Sequence, residues 1–242
     1  MLSAIYAVLF YLATIVLVVG VVLKVKTYWQ IPAPMKIPTM PAPRSKSGVL
    51  FRIFKEITLF ESLFRSNKWI WIFGWAFHFG LLLVLLRHFR YFQEPVWFWV
   101  NWVQPFGIYA GFAMVLGLVG LLGRRFFVER IRYISTPSDY LILLLLILIG
   151  VSGLIMKFVV HTDIIKVKEY MLGIMTFNWE TQLPNDPVLL VHLGLVIILM
   201  VIFPISKLMH APGIFFSPTR NQADDSREKR HVAKWAKALD RV

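Results

Sequence analysis

Five stretches of this 242-residue chain are apolar for long enough to cross a bilayer: about Ser3–Leu23, Trp69–Leu86, Gln104–Gly123, Tyr140–Val160 and Pro187–Met209. A helix needs about 20 predominantly apolar residues to cross the hydrocarbon, whereas a barrel strand needs about half as many. In lipid the backbone must satisfy its own polar groups, so segments of this length read as helices. The expected fold is therefore all-α, an integral membrane bundle of five transmembrane helices. A composition that is 58% hydrophobic and only 16% charged excludes a soluble globular domain. The first segment has no basic residue ahead of it and ends in Leu23-Lys24-Val25-Lys26, which reads as a retained span and not a cleaved leader.

The distribution of Lys and Arg orients the bundle. Lys24 to Lys68 carries nine of them, Arg124 to Arg132 four, and Lys207 to Arg241 eight. The alternate connections, around Arg87 and Arg90 and from Lys157 to Lys168, carry five together. The positive-inside rule then predicts an N-terminus outside and a cytoplasmic C-terminus. The net charge of +13 is thus accounted for by topology. No nucleic-acid-binding module is recognisable, and the basic residues are divided among loops, so no nucleic-acid partner is expected.

Between the first two spans lies a long inner loop, residues 27–67. Ile31 to Arg44 contains five prolines and is expected to run extended along the cytoplasmic face. Leu50, Phe54, Ile57, Phe60 and Phe64 then recur at helical spacing with Arg52, Lys55, Glu56 and Arg65 between them. That pattern predicts an interfacial amphipathic helix, serving either as a surface anchor or as a docking face for a cytoplasmic subunit. The outer connection His161–Asp186 is expected to hold a further short helix, with Ile164, Ile165, Val167, Met171 and Ile174 on its apolar side. Residues 1–216 form the predicted membrane domain, and 217–242 a basic cytoplasmic tail.

Four histidines fall within these segments or at their ends, in two pairs: His78 and His88 on the second, His192 and His210 on the fifth. An imidazole in hydrocarbon is costly, so it points to function by default. The second and fifth spans run in opposite directions. By depth, His88 then matches His192 near the outside, and His78 matches His210 near the inside. Two helices so arranged can supply both axial ligands to each of two haems. At 1.5 Å per residue the separations are about 15 Å and about 27 Å, a mismatch that helix tilt must absorb. Eighteen residues are five whole turns of an ideal helix, so His192 and His210 share a face if the fifth helix is continuous. Pro204 is expected to kink it.

Several neighbours admit two readings. Gly80 and Gly194 each follow a histidine by two residues and either let a flat macrocycle approach or pack helices. Arg87, Arg90, Arg124 and Arg125 either grip haem propionates or serve as interface and topogenic charges. His161 is either a core residue or an acceptor of a quinol proton, and His231 lies in the tail. The chain has no cysteine, which excludes disulfides, thiolate-held iron–sulfur clusters and thioether-linked haem. A redox group here is held non-covalently.

The string His78-Phe-Gly80, seven residues and His88 resembles the second helix of the respiratory nitrate reductase gamma subunit family. Phe203-Pro204-Ile205-Ser206-Lys207-Leu208-Met209-His210, preceded by His192, is similar to that family's fifth helix. The likeness runs from about Trp69 to His210, and the proline-rich loop departs from the compact nitrate reductase form. The family includes membrane haem b subunits of the Dsr (dissimilatory sulfite reduction) complex and of heterodisulfide-reductase-like complexes, and the long loop favours the Dsr type.

The resemblance implies a dihaem cytochrome b in a bacterial or archaeal cytoplasmic membrane. His88 and His192 would ligate the iron of an outer haem b, and His78 and His210 that of an inner one. It would transfer electrons between membrane quinone (menaquinone or ubiquinone) and a cytoplasmic iron–sulfur subunit, in a complex with further membrane and periplasmic subunits. No residue for sulfur or nitrogen chemistry is expected in this chain, which would be an electron-transfer subunit of a multisubunit quinone oxidoreductase. The alternatives are a nitrate-reductase-type gamma subunit feeding a molybdenum enzyme, and a non-redox membrane anchor or transporter. The spans show no evident inverted repeat and few polar or broken helices, which weighs against a transporter.

Overall fold

The computed structural model describes residues 1–32 and 37–225, and these are helical with no strand. Five helices are long and apolar enough to cross a membrane, and the protein is a multi-pass membrane protein. They are α1 (Leu2–Gln30), α4 (Lys68–His88), α5 (Phe98–Phe127), α7 (Pro137–Ile155) and α9 (Pro187–Ile202). Shorter helices lie between and after them: α2 (Lys46–Leu59), α3 (Glu61–Ser66), α6 (Glu129–Ile134), α8 (Ile164–Met175), α10 (His210–Gly213) and α11 (Pro218–Asn221). The chain forms two compact units, Met1–Val16 with Asn67–Ile202, and Leu17–Ser66 with the residues from Phe203 onward.

In the first unit α5 packs along α4 and α7, and α7 packs along α9. Apolar side chains do not drive helices together in lipid, so close backbone approach must supply the contact. Glycine supplies it on both faces of α5. A Cβ at Gly80 of α4 would sit 2.8 Å from the Ala110 carbonyl oxygen, and one at Gly117 of α5 would sit 2.6 Å from that of Phe73. On the α7 side, a Cβ at Gly150 would meet the Met114 and Val115 side chains at 2.7 Å. Gly80 is thus a helix-packing glycine, which resolves one of the open readings. α5 begins at Phe98, ahead of the expected start near Gln104, and Pro105 lies inside it without ending it.

Caps mark several helix starts. Asn67 accepts a hydrogen bond from the Ile70 amide at 3.1 Å, and Asp163 from Ile165 and Lys166. Asp186 accepts from Val188 and Leu189. Thr136 and Asp139 form a reciprocal capping box at α7. The short helix expected in the outer connection is α8. It is seated in a core of Val167, Tyr170, Met171, Leu183, Leu189 and Leu193, against which Tyr6 and Tyr91 pack. Ion pairing of Lys168 with Glu94 ties α8 to the α4–α5 connection.

In the second unit the amphipathic helix is α2, capped by Ser45. It turns its polar side inward: Glu56 is buried and bonded to Arg220 of α11, while Leu50 and Phe54 are exposed. Phe60, at φ 49° and ψ 48°, breaks the helix before α3. The described part of the proline-rich arm runs without helix from Ile37 to Pro43 and is held by backbone bonds, Thr39 amide to Thr219 carbonyl and Asp224 amide to Pro43 carbonyl, both 2.9 Å. Residues 33–36 of the arm and 226–242 of the tail, with His231, lie outside the described residues.

The fifth span departs from the ideal. Regular helix stops at Ile202, Phe203–Ile205 and Lys207–Met209 form 3₁₀ turns, and Ser206 between them is extended at φ −97° and ψ 172°. Pro204 has no N–H to give, and the regular helix ends two residues ahead of it, at Ile202. His192 and His210 do not belong to one continuous helix, and the five-turn register expected between them does not hold.

Candidate functional site

Three of the four paired histidines share one local geometry, although His210 is exposed and lies beyond the apolar span Pro187–Ile205. The Nδ1 of His78 lies 2.7 Å from the Gly74 carbonyl oxygen, that of His88 2.6 Å from Val84, and that of His210 2.9 Å from Lys207. A carbonyl only accepts, so each ring carries its proton on Nδ1 and donates it backwards along its own turn. The lone pair of the neutral ring is then on Nε2, directed away from the local backbone. That is how a helix presents an imidazole as an axial ligand, with the distal nitrogen's bond fixing tautomer and ring plane.

His192 reaches the same state through a neighbouring helix. Ser152 Oγ of α7 donates to the Ile149 carbonyl at 3.0 Å, which uses its one proton. Its oxygen therefore accepts the Nδ1–H of His192 at 2.9 Å. The ring of His192 lies beside Gly153, where a Cβ would come within 3.6 Å of its Cε1. Ser152 and His192 are both buried, a costly arrangement unless the pair is fully hydrogen-bonded. Ser152 escaped the sequence reading. Its signal was a hydroxyl in an otherwise apolar span, two residues after one glycine and one before another.

His78, His88 and His192 belong to the first compact unit and His210 to the second. The ring of Tyr91 lies 5.7 Å from that of His88. Within the second unit His210 lines a cavity of about 880 Å³ with Tyr28, Trp29, Met209 and Phe216, within the size range of cofactor pockets. Among the described residues, a Cβ at Gly194 would have the Tyr6 hydroxyl alone nearby, at 3.9 Å, so space remains beside it. His161 is exposed, in a left-handed conformation at φ 57° after the π-helical turn Met156–Val160, and its Nδ1 faces the Val159 carbonyl.

Of the four arginines, Arg125 is engaged. It donates to Ser135 Oγ at 2.7 Å and pairs with the buried Asp139 at 3.6 Å. Arg87 and Arg90 instead converge on the amide oxygen of Gln104. Among the described residues no group of three or more His, Cys, Asp and Glu is gathered to cage a metal ion.

Comparison with known proteins shows the family. The model of the nitrate reductase gamma subunit family matches residues 56–224, the stretch that holds all four histidines. The chain is 35% identical to the Hdr-like menaquinol oxidoreductase cytochrome b-like subunit of Archaeoglobus fulgidus, over 93% of this chain and 81% of the relative. It is 32% identical to the protein of the same description from Archaeoglobus profundus, over 93% and 80%. The respiratory nitrate reductase 1 gamma chain of Escherichia coli is 31% identical over 55% of this chain and 67% of that protein. With five apolar spans, four oriented histidines and a family match over most of its length, the chain belongs to the nitrate reductase gamma subunit family.

Proposed function

We propose that the chain is the membrane cytochrome b subunit of a menaquinol oxidoreductase, with two haem b groups. His88 and His192 would hold the outer haem, and His78 and His210 the inner. The observation that carries this is the common state of the four rings, each with Nδ1–H tied to a fixed acceptor and Nε2 as the basic nitrogen. Bound haem supplies reversible one-electron chemistry at iron. The protein's part is to hold each imidazole at a set tautomer and angle and to keep water away. α8 contributes to the second task by packing on the Phe89–Tyr91 turn that follows His88.

Electrons would pass between menaquinol and a cytoplasmic iron–sulfur subunit, with the N-terminus outside. The relatives described as Hdr-like align over 93% of the chain, whereas the nitrate reductase gamma chain aligns over 55%. That difference favours a sulfur-linked partner of the Dsr or heterodisulfide-reductase-like kind over a molybdenum enzyme.

A pyridine haemochrome assay with a reduced-minus-oxidised spectrum on the purified chain tests the reading. Two haem b per chain are expected, with one lost in His88→Ala or His192→Ala and the other in His78→Ala or His210→Ala. A protein that binds no haem would be a non-redox anchor, and co-purification in mild detergent would then identify what it anchors.

A further inference from the structure

The outer end of α4 holds two cations where packing alone calls for none. Arg87 Nε donates to Gln104 Oε1 at 3.1 Å, and Arg90 Nη1 donates to the same oxygen at 3.0 Å. Gln104 is itself oriented, its amide nitrogen facing the Arg87 carbonyl at 3.5 Å. The stem of Arg87 crosses Gly107 of α5, where a Cβ would lie 2.8 Å from Arg87 Cβ and 2.9 Å from Cδ. The glycine leaves the room that lets the guanidinium reach Gln104.

One neutral amide oxygen therefore holds two guanidinium nitrogens within about 6 Å of each other, where like charges repel. Among the described residues neither arginine has a carboxylate partner, and Glu94, the nearest in sequence, pairs with Lys168. Each guanidinium has five donors, and the shared oxygen uses one from each. Two half-buried forks aimed at one point with donors to spare make a cradle for an oxyanion. The cradle adjoins the candidate outer-haem site through Tyr91. Its ring is 5.7 Å from the His88 ring and 5.7 Å from Arg90 Cζ.

We infer that Arg87 and Arg90, set by Gln104, bind a carboxylate of the outer haem, its propionate. This inference rests on the haem reading above. A phospholipid phosphate offers the same oxyanion chemistry at this depth, so the test must separate the two sources. The two arginines would neutralise the propionate and place positive charge beside the iron, favouring the reduced form.

The experiment is a spectroscopic redox titration of both haems in the purified full chain, wild type against Arg87→Gln, Arg90→Gln and Gln104→Glu. Gln104→Glu keeps the acceptor oxygen and the length of the side chain, gives up the long amide contact to the Arg87 carbonyl and inserts a competing carboxylate, so the test survives if Arg87→Gln fails to fold. Each variant is expected to lower the reduction constant of the outer haem about tenfold, or about 59 mV for a one-electron couple. The inner haem should not move. An unchanged outer potential with both haems bound overturns the inference. If native mass spectrometry then shows that the variants lose a co-purifying anionic phospholipid, the oxyanion is a lipid phosphate. A wild-type chain without haem overturns the functional reading itself.

Discussion

The hydroxyl of Ser152 on α7 and the imidazole of His192 on α9 meet at 2.9 Å, and the serine's own proton is committed to the Ile149 carbonyl. The tautomer of His192 is thus set from another helix, whereas His78, His88 and His210 use carbonyls of their own turns. A ligand oriented by a side chain can be disoriented by one substitution. Ser152→Ala is expected to weaken binding of the proposed outer haem by 10- to 100-fold, the usual cost of losing such an outer partner, as an order of magnitude. Haem retention on dilution in detergent measures this. Loss should be confined to one haem and reversed by Ser152→Thr.

Helix packing in the first unit should be intolerant of a single methyl on α5. A Cβ at Gly117 would meet the Phe73 carbonyl oxygen at 2.6 Å and the Phe77 amide nitrogen at 2.7 Å, both backbone atoms that cannot swing aside. Gly117→Ala is expected to cost about 1–3 kcal/mol through the forced separation of α4 and α5. A lowered midpoint of thermal unfolding in detergent would show it. Gly123→Ala is the control, because a Cβ there would only touch the Phe127 ring at 3.9 Å.

Much of this architecture was legible in the chain itself, for a physical reason. Lipid leaves the backbone few options, so hydropathy alone located all five spans and the amphipathic α2. The ends were harder to read. The third span was expected from about Gln104 but α5 begins at Phe98, while Pro204, expected to kink the fifth span, ends its regular helix. Pro105 does not end α5, and the difference lies beyond the proline ring, in the extended Ser206 that follows Pro204. Histidine positions were evident, but their partners were not, because Ser152 and Gln104 meet His192 and Arg87 only through packing of separate spans. Gly80 could not be assigned from sequence because packing and cofactor contact both call for a missing side chain.

In the second unit, the inward polar face of α2 depends on one ion pair. Arg220 Nη1 is 2.6 Å from Glu56 Oε1, its Nη2 is 3.1 Å from Ser62 Oγ, and Ser62 donates to Glu56 Oε2 at 2.8 Å. Glu56 is only 9% exposed, so removing its partner leaves a buried charge uncompensated. Arg220→Ala is expected to loosen α2 from α11 with a loss of about 3 kcal/mol, toward the low end for a broken buried pair. Limited trypsin digestion reads this out. Cleavage at Arg44, Lys46 and Arg52 should accelerate, while a Glu56→Gln/Arg220→Met double variant, which removes both charges, should resist better than Arg220→Ala.

Alkaline stability should depend on Tyr170 of α8. Its hydroxyl donates to the Ser3 carbonyl at 2.6 Å from a side chain that is 2% exposed. Burial, reinforced by the neighbouring Tyr11 and Tyr6, pushes its pKa up to about 12, from the ordinary value of 10.0. The phenol is neutral when protonated, so the folded state holds this proton more tightly than the unfolded chain does. The resulting stability is fully present below about pH 10 and is lost as the pH rises toward 12. Ultraviolet titration of tyrosinate should show one late-ionising group in the wild type that is missing in Tyr170→Phe. Tyr170→Phe should also lose about 1 kcal/mol at neutral pH with the Ser3 bond. In return its unfolding midpoint should fall less steeply between pH 10 and 12, and an equal fall in both proteins would assign the alkaline transition to other groups.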